Sequence, residues 1–169
     1  MSTITAAPLT YTSRHPAHTQ ALGQTLGQLL RPGDVICLSG DLGAGKTAFT
    51  QGIGRGWGAL EPVTSPTFVL IHEHRRQADS AILYHVDCYR LRGPADAWGI
   101  GLEDLWHSEG CVVIEWPENI QAALPAEHLW VTFSIEGEQQ RQLLFEARGE
   151  RYQALLSALQ TRVPSTVLP

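Results

Sequence analysis

Lysine is almost missing from this chain: Lys46 is the sole one among 169 residues, and arginine supplies the other basic side chains. A guanine-specificity box of the form N-K-x-D needs a second lysine, so a regulatory GTPase is excluded. Cysteine is scarce as well. Cys37, Cys88 and Cys111 each lie in or beside an apolar run with no C-x-x-C spacing, which fits small buried hydrophobes rather than metal ligands or disulfides. No apolar run approaches the roughly 20 residues that cross a bilayer, and the first twelve residues carry no basic stretch followed by an apolar one. The expected location is the cytoplasm, with no membrane partner. Positive charge is outnumbered too, the formal net charge being -5, whereas nucleic-acid binding is driven by basic side chains that neutralise phosphates. DNA is not an expected partner, and any RNA connection is expected to run through another protein.

What is present points to one α/β domain. Hydrophobic residues make up 43% of the sequence without repeats, so a single domain over 1–160 is expected, with a disordered tail over 161–169. Leu22, Leu26, Leu29 and Leu30 fall at helical spacing within 16–30, and Arg31-Pro32-Gly33-Asp34 stops that helix. Val35-Ile36-Cys37-Leu38-Ser39 reads as a strand, and 47–57 as a helix. Residues 68–74 and 81–87 read as a hairpin around a polar turn, 98–107 as a helix, and 111–115 as a strand ending in an acid. Strands over 128–136 and 141–147 and a helix over 149–160 close the domain. The pattern predicts three layers around a mixed, mostly parallel central sheet.

Lys46 sits in Gly40-Asp41-Leu42-Gly43-Ala44-Gly45-Lys46-Thr47, a full match to the phosphate-binding pattern G-x-x-x-x-G-K-[ST], with a strand before it and a helix after it. That order lets loop and helix N–H groups converge on phosphate oxygens. Lys46 offers a compact charge to the β- and γ-phosphates, and the Thr47 hydroxyl is placed for magnesium. Such a site needs an acid. Asp87 and Glu115 each end an apolar run, and each reaches the nucleotide if its strand runs parallel to the loop strand. His72 and His74 share one strand face, but no third ligand at useful spacing follows them.

Four segments in order, Gly40 to Thr47, Val63-Thr64-Ser65-Pro66-Thr67-Phe68, His85-Val86-Asp87-Cys88-Tyr89-Arg90-Leu91 and Ile114-Glu115-Trp116-Pro117-Glu118, resemble the TsaE (formerly YjeE) family, bacterial ATPases of tRNA threonylcarbamoyladenosine synthesis. The resemblance spans 40–118 and fits the preceding helix. It implies a P-loop NTPase-like fold and a magnesium-dependent ATP hydrolase, weak alone and coupled to the TsaB and TsaD proteins, with tRNA reached through that complex. Carried over by position, Gly40, Asp41, Leu42, Gly43, Ala44, Gly45, Lys46 and Thr47 would hold ATP, with Trp116 packed near it. Thr47 and Glu115 would hold Mg2+. Asp87 and Glu115 would serve catalysis, and Thr67, in a switch-like loop, would sense the γ-phosphate or the metal. His74 departs from the family's usual aromatic and Cys88 from its usual apolar residue. Thr12 and its neighbours are the candidates for the adenine edge. The rival readings are a small-molecule or nucleotide kinase, with Arg90 and Arg92 clamping a phosphoryl group, and an adaptor that senses ATP without needing its hydrolysis.

Overall fold

Continuous apolar runs and alternating ones settle into different parts of a single sheet. The computed structural model describes residues 7–64 and 70–164. In chain order the elements are β1 (Leu9–Ser13), α1 (Pro16–Leu29), β2 (Val35–Ser39), α2 (Lys46–Trp57), β3 (Ile71–Arg75), β4 (Ile82–Asp87), α3 (Pro94–Gly99), α4 (Leu102–Trp106), β5 (Cys111–Glu115), a 3-10 helix (Pro117–Ala123), β6 (His128–Ile135), β7 (Arg141–Arg148) and α5 (Glu150–Arg162). The sheet order is β1-β7-β6-β2-β5-β4-β3. The pairs β6–β2, β2–β5 and β5–β4 are parallel. β1 and β6 are both antiparallel to β7, so β1 runs with them, leaving β7 and β3 reversed.

Central strands covered on both faces need continuous apolar runs, and β2 and β5 have them up to their last residues, Ser39 and Glu115. One face, with Ile36, Leu38, Val113, Val131 and Phe145, packs under α1, α2 and α5. The other, with Val35, Cys37, Val112 and Ile114, packs against Ala97, Leu102 and Ile120 of α3, α4 and the 3-10 helix. Each large side chain so buried contributes about 1.5–3 kcal/mol. Cys37, Cys88 and Cys111 are buried free thiols, the role expected of them.

Helices α1 and α2 approach closely because glycines face each other. A Cβ on Gly23 would strike the Phe49 carbonyl, one on Gly27 that of Ile53, one on Gly52 that of Gln20, and one on Gly56 that of Gln24. The G-x-x-x-G spacings are 23/27 and 52/56, a device that brings helix backbones together.

The start of β2 is held by a charge pair. Arg151 of α5 donates from Nε and Nη2 to the Asp34 carboxylate at 2.9 and 2.7 Å, and the Arg31 backbone N–H donates to it at 2.7 Å. Replacing Arg151 with leucine leaves a buried carboxylate without its cation. The variant is expected to lose about 2–3 kcal/mol in urea unfolding.

The structure departs from expectation in four places. β1 takes the N-terminal stretch, where Leu-Thr-Tyr-Thr-Ser alternates and Tyr11 points into the core. The single helix expected over 98–107 is two short ones, because Gly101 adopts φ 78° between them. A 3-10 helix, bent at Ile120, follows β5 where only a turn was expected. The last helix continues to Arg162, and 165–169 lie outside the described residues.

Candidate nucleotide site

Because β2, β5 and β4 are parallel, their carboxyl ends share one edge of the sheet. Leu38 is opposite Glu115, and Glu115 is opposite Asp87. The loop 40–45 leaves β2 at that edge, and α2 starts at Lys46. The condition set on the two acids is thereby met: both sit beside the loop, where α/β sheets bind ligands.

Loop shape follows from its glycines. Gly45 caps α2 with φ 107°, a conformation L side chains rarely adopt. A Cβ on Gly40 would come within 2.9 Å of the Phe133 Cβ and carbonyl oxygen. The Ala44 N–H donates to the Asp41 carbonyl at 3.0 Å. Arg141 of β7 braces the loop from outside, with Nη2 donating to Gly43 O at 3.1 Å and Nη1 to Gly137 O and Gln140 O at 2.9 Å each. Asp41, Leu42 and Thr47 are exposed at the mouth.

Lys46 is 5% exposed. Its Nζ donates to Gly40 O at 2.6 Å and lies 3.7 Å from the centroid of the Trp116 ring. Burial pulls its pKa below the ordinary lysine value, opposed in decreasing order by Glu115, Glu118, Asp87 and Asp41. Among the described residues no carboxylate stands within ion-pair distance of this ammonium. A buried cation with only a carbonyl and an aromatic face as partners has spare capacity for an anion.

Trp116 holds its place at a backbone cost. It is the non-glycine residue with positive φ among the described residues, at φ 59° and ψ 47°. Strain of this kind concentrates at functional sites. Its ring meets Tyr89 at 5.0 Å, so Tyr89, Trp116 and Lys46 form a stack beside the loop.

The two acids are placed differently. The Asp87 carboxylate accepts the Tyr89 N–H at 2.9 Å. Glu115 is 6% exposed, and its Oε2 lies 2.7 Å from His85 Nε2. The turns after β4 and β5 are tied together: the Cys88 N–H donates to Glu115 O at 2.9 Å, and Asn119 Nδ2 donates to Cys88 O and Tyr89 O at 3.0 and 3.1 Å. Thr67, with Ser65 and Pro66, lies outside the described residues. Thr12 sits in the β1–β7 ladder opposite Gln142. A cavity of about 320 Å³ beside the loop is lined instead by Pro16, Thr19, Gly43, Gly45, Glu138 and Arg141, among others.

Sequence reasoning assigned no role to His85, Tyr89, Asn119 or Arg141, although the first two lie in the segment 85–91 that carries the resemblance. For His85 a signal existed, since on a strand it faces the same side as Asp87, two residues on. Nothing local marked Arg141, which reaches the loop from a hairpin far along the chain. His72 and His74 do share a face, and no group of three or more metal-binding side chains forms among the described residues.

These residues fit a nucleoside triphosphate with a divalent metal. A glycine loop opens onto a helix N-terminus, whose first N–H groups lack intrahelical partners. A cation with no carboxylate within ion-pair distance among the described residues stands within it, and an exposed hydroxyl and a buried carboxylate stand beside it.

Residues 13–143 match the family model described as "Threonylcarbamoyl adenosine biosynthesis protein TsaE". A tRNA threonylcarbamoyladenosine biosynthesis protein TsaE from Bacillus subtilis is 38% identical over 146 residues, covering 86% of this chain and 89% of that one. The protein of the same description from Treponema pallidum is 35% identical over 131 residues, covering 78% and 95%. Among solved structures, Bacillus subtilis YdiB superposes with a TM-score of 0.78 at 33% identity, covering 92% of this chain and 96% of that one.

Proposed function

The chain belongs to the TsaE family of tRNA threonylcarbamoyladenosine biosynthesis proteins, and from that premise we propose that it is the magnesium-dependent ATPase of this modification, driving the cycle of a TsaB–TsaD complex. The observation that carries the reading is the meeting of Lys46, Thr47, Asp87 and Glu115 at one sheet edge around the glycine loop. Partner coupling rests on the family resemblance, and tRNA is reached through the complex.

In this reading loop N–H groups and Lys46 hold the β- and γ-phosphates, with the ammonium turning from Gly40 O to phosphate. Thr47 and Glu115 would hold Mg2+, which would supply neutralisation of phosphate charge. Asp87, at the end of β4, orients a water for attack on the γ-phosphorus and accepts its proton. Trp116, with Tyr89 against its ring, covers Lys46, and the lower local dielectric strengthens its pull on phosphate oxygens. Thr67, in the switch-like segment of the family resemblance, would sense the γ-phosphate or the metal.

Asp87→Asn keeps the size of the side chain and the acceptor for the Tyr89 N–H while removing the base. The expected result is a fall in ATP turnover of about 100-fold or more with little change in ATP affinity. Equal losses in both would assign Asp87 to binding.

The reading as a whole is tested by reconstituting tRNA modification with this chain, TsaB, TsaD and the threonylcarbamoyl donor. Modified adenosine should accumulate with wild-type chain and stop when the chain is omitted or carries Lys46→Ala. Undiminished modification with Lys46→Ala contradicts it. Turnover that instead follows an added phosphoryl acceptor and ignores TsaB and TsaD would identify a kinase.

A further inference from the structure

We infer that His85 is a positioning residue for the metal site, holding the Glu115 carboxylate so that its second oxygen is presented toward Thr47 and the phosphate loop. This rests on the reading of Glu115 as a magnesium ligand and extends it to a residue beyond the metal's own ligands.

The pair stands in the sheet rather than on a loop. His85 is on β4 opposite Val113 of β5, two positions before the Asp87–Glu115 pair. His85, Asp87 and Glu115 alternate onto the face that α2 covers. The imidazole is 1% exposed and the carboxylate 6%, and the 2.7 Å between Nε2 and Oε2 is a hydrogen-bond distance. A carboxylate that ligates a metal only accepts, so in this reading Nε2 is the donor.

What His85 gives up elsewhere shows where its contribution lies. Its Nδ1 has no partner among the described residues, although the ring is buried. Its neighbour across β3 is His72. For a core position a leucine of similar size would avoid an unpaired buried nitrogen. The retained contact is the one with Glu115. A buried carboxylate with free χ angles could aim either oxygen anywhere within its reach, whereas one pinned at Oε2 keeps Oε1 fixed. Partners of this kind commonly change metal affinity about 10–100-fold when removed.

The test titrates Mg2+ into the full chain with the non-hydrolysable analogue AMP-PNP and reads nucleotide binding by calorimetry, with thermal unfolding as a fold check. Five proteins are compared: wild type, Glu115→Ala, His85→Leu, the double variant of these two, and His85→Gln, the last because a glutamine amide reaches the position of Nε2. His85→Leu should raise the Mg2+ midpoint by about tenfold or more while leaving metal-free AMP-PNP affinity unchanged. His85→Gln should restore most of the wild-type midpoint. Combining His85→Leu with Glu115→Ala should shift it no further than Glu115→Ala alone. A purely structural histidine would lower the unfolding temperature without moving the midpoint. If His85→Leu does not fold, His85→Asn, whose amide falls short of the carboxylate, must show the displaced midpoint. A wild-type midpoint in the folded His85 variant, with Glu115→Ala displaced, overturns the inference. A wild-type midpoint in Glu115→Ala instead removes the metal role of Glu115, and the role of His85 falls with it.

Discussion

Lys46→Ala is expected to raise the dissociation constant for ATP about 100-fold or more, equivalent to roughly 3 kcal/mol, with the fold intact. Lys46 is the cation on the phosphate loop itself, and its ammonium is held by a backbone carbonyl and the Trp116 ring rather than by a carboxylate. Removing it leaves the loop's N–H groups facing phosphate charge without a counter-ion, while no acid loses an ion-pair partner. Calorimetric titration with ATP and Mg2+ checks the affinity, and thermal unfolding at or near the wild-type temperature checks the fold. Lys46→Arg should fail almost as badly, because a planar guanidinium does not fit the 5%-exposed space between Gly40 and Trp116.

The second large effect concerns packing. Gly52→Ala and Gly56→Ala should each lower stability by about 2–3 kcal/mol, although alanine gains about 1 kcal/mol of helix propensity over glycine. Propensity loses because the added methyl strikes the Gln20 or Gln24 carbonyl of α1. Backbone in a helix does not step aside as a side-chain tip does, so α1 and α2 must separate. Urea midpoints should fall at both positions. Alanine at Gly99, where a Cβ meets nothing within 4 Å, should leave the midpoint close to wild type. Since α2 carries Lys46 and Thr47 at its first turn, a separation that leaves the protein folded should also weaken ATP binding.

How much of this was legible in the sequence depended on how local the cause was. Uninterrupted runs such as Val35–Ser39 and Cys111–Glu115 announced central strands because both of their faces are covered. The phosphate loop was legible because its chemistry is contained in eight consecutive residues. Asp87 and Glu115 could be named as strand-end acids, but their adjacency needed the parallel register that only the assembled sheet supplies. Arg141 was invisible because its contact with Gly43 crosses most of the chain. The split between α3 and α4 turned on Gly101, whose positive φ outweighed the apolar spacing around it. β1 was missed because five residues of alternation beside the chain start give a weak signal, although it completes the sheet against β7.

In the proposed function, ATP hydrolysis is coupled to a TsaB–TsaD complex. The most direct measurement is steady-state ATP hydrolysis by the purified chain, alone and with TsaB and TsaD, using Lys46→Ala as the blank. Low turnover alone, a clear rise with the pair, and blank-level signal from Lys46→Ala in both cases are expected. Turnover that is the same with and without the pair, or that survives in Lys46→Ala, would contradict the proposed function.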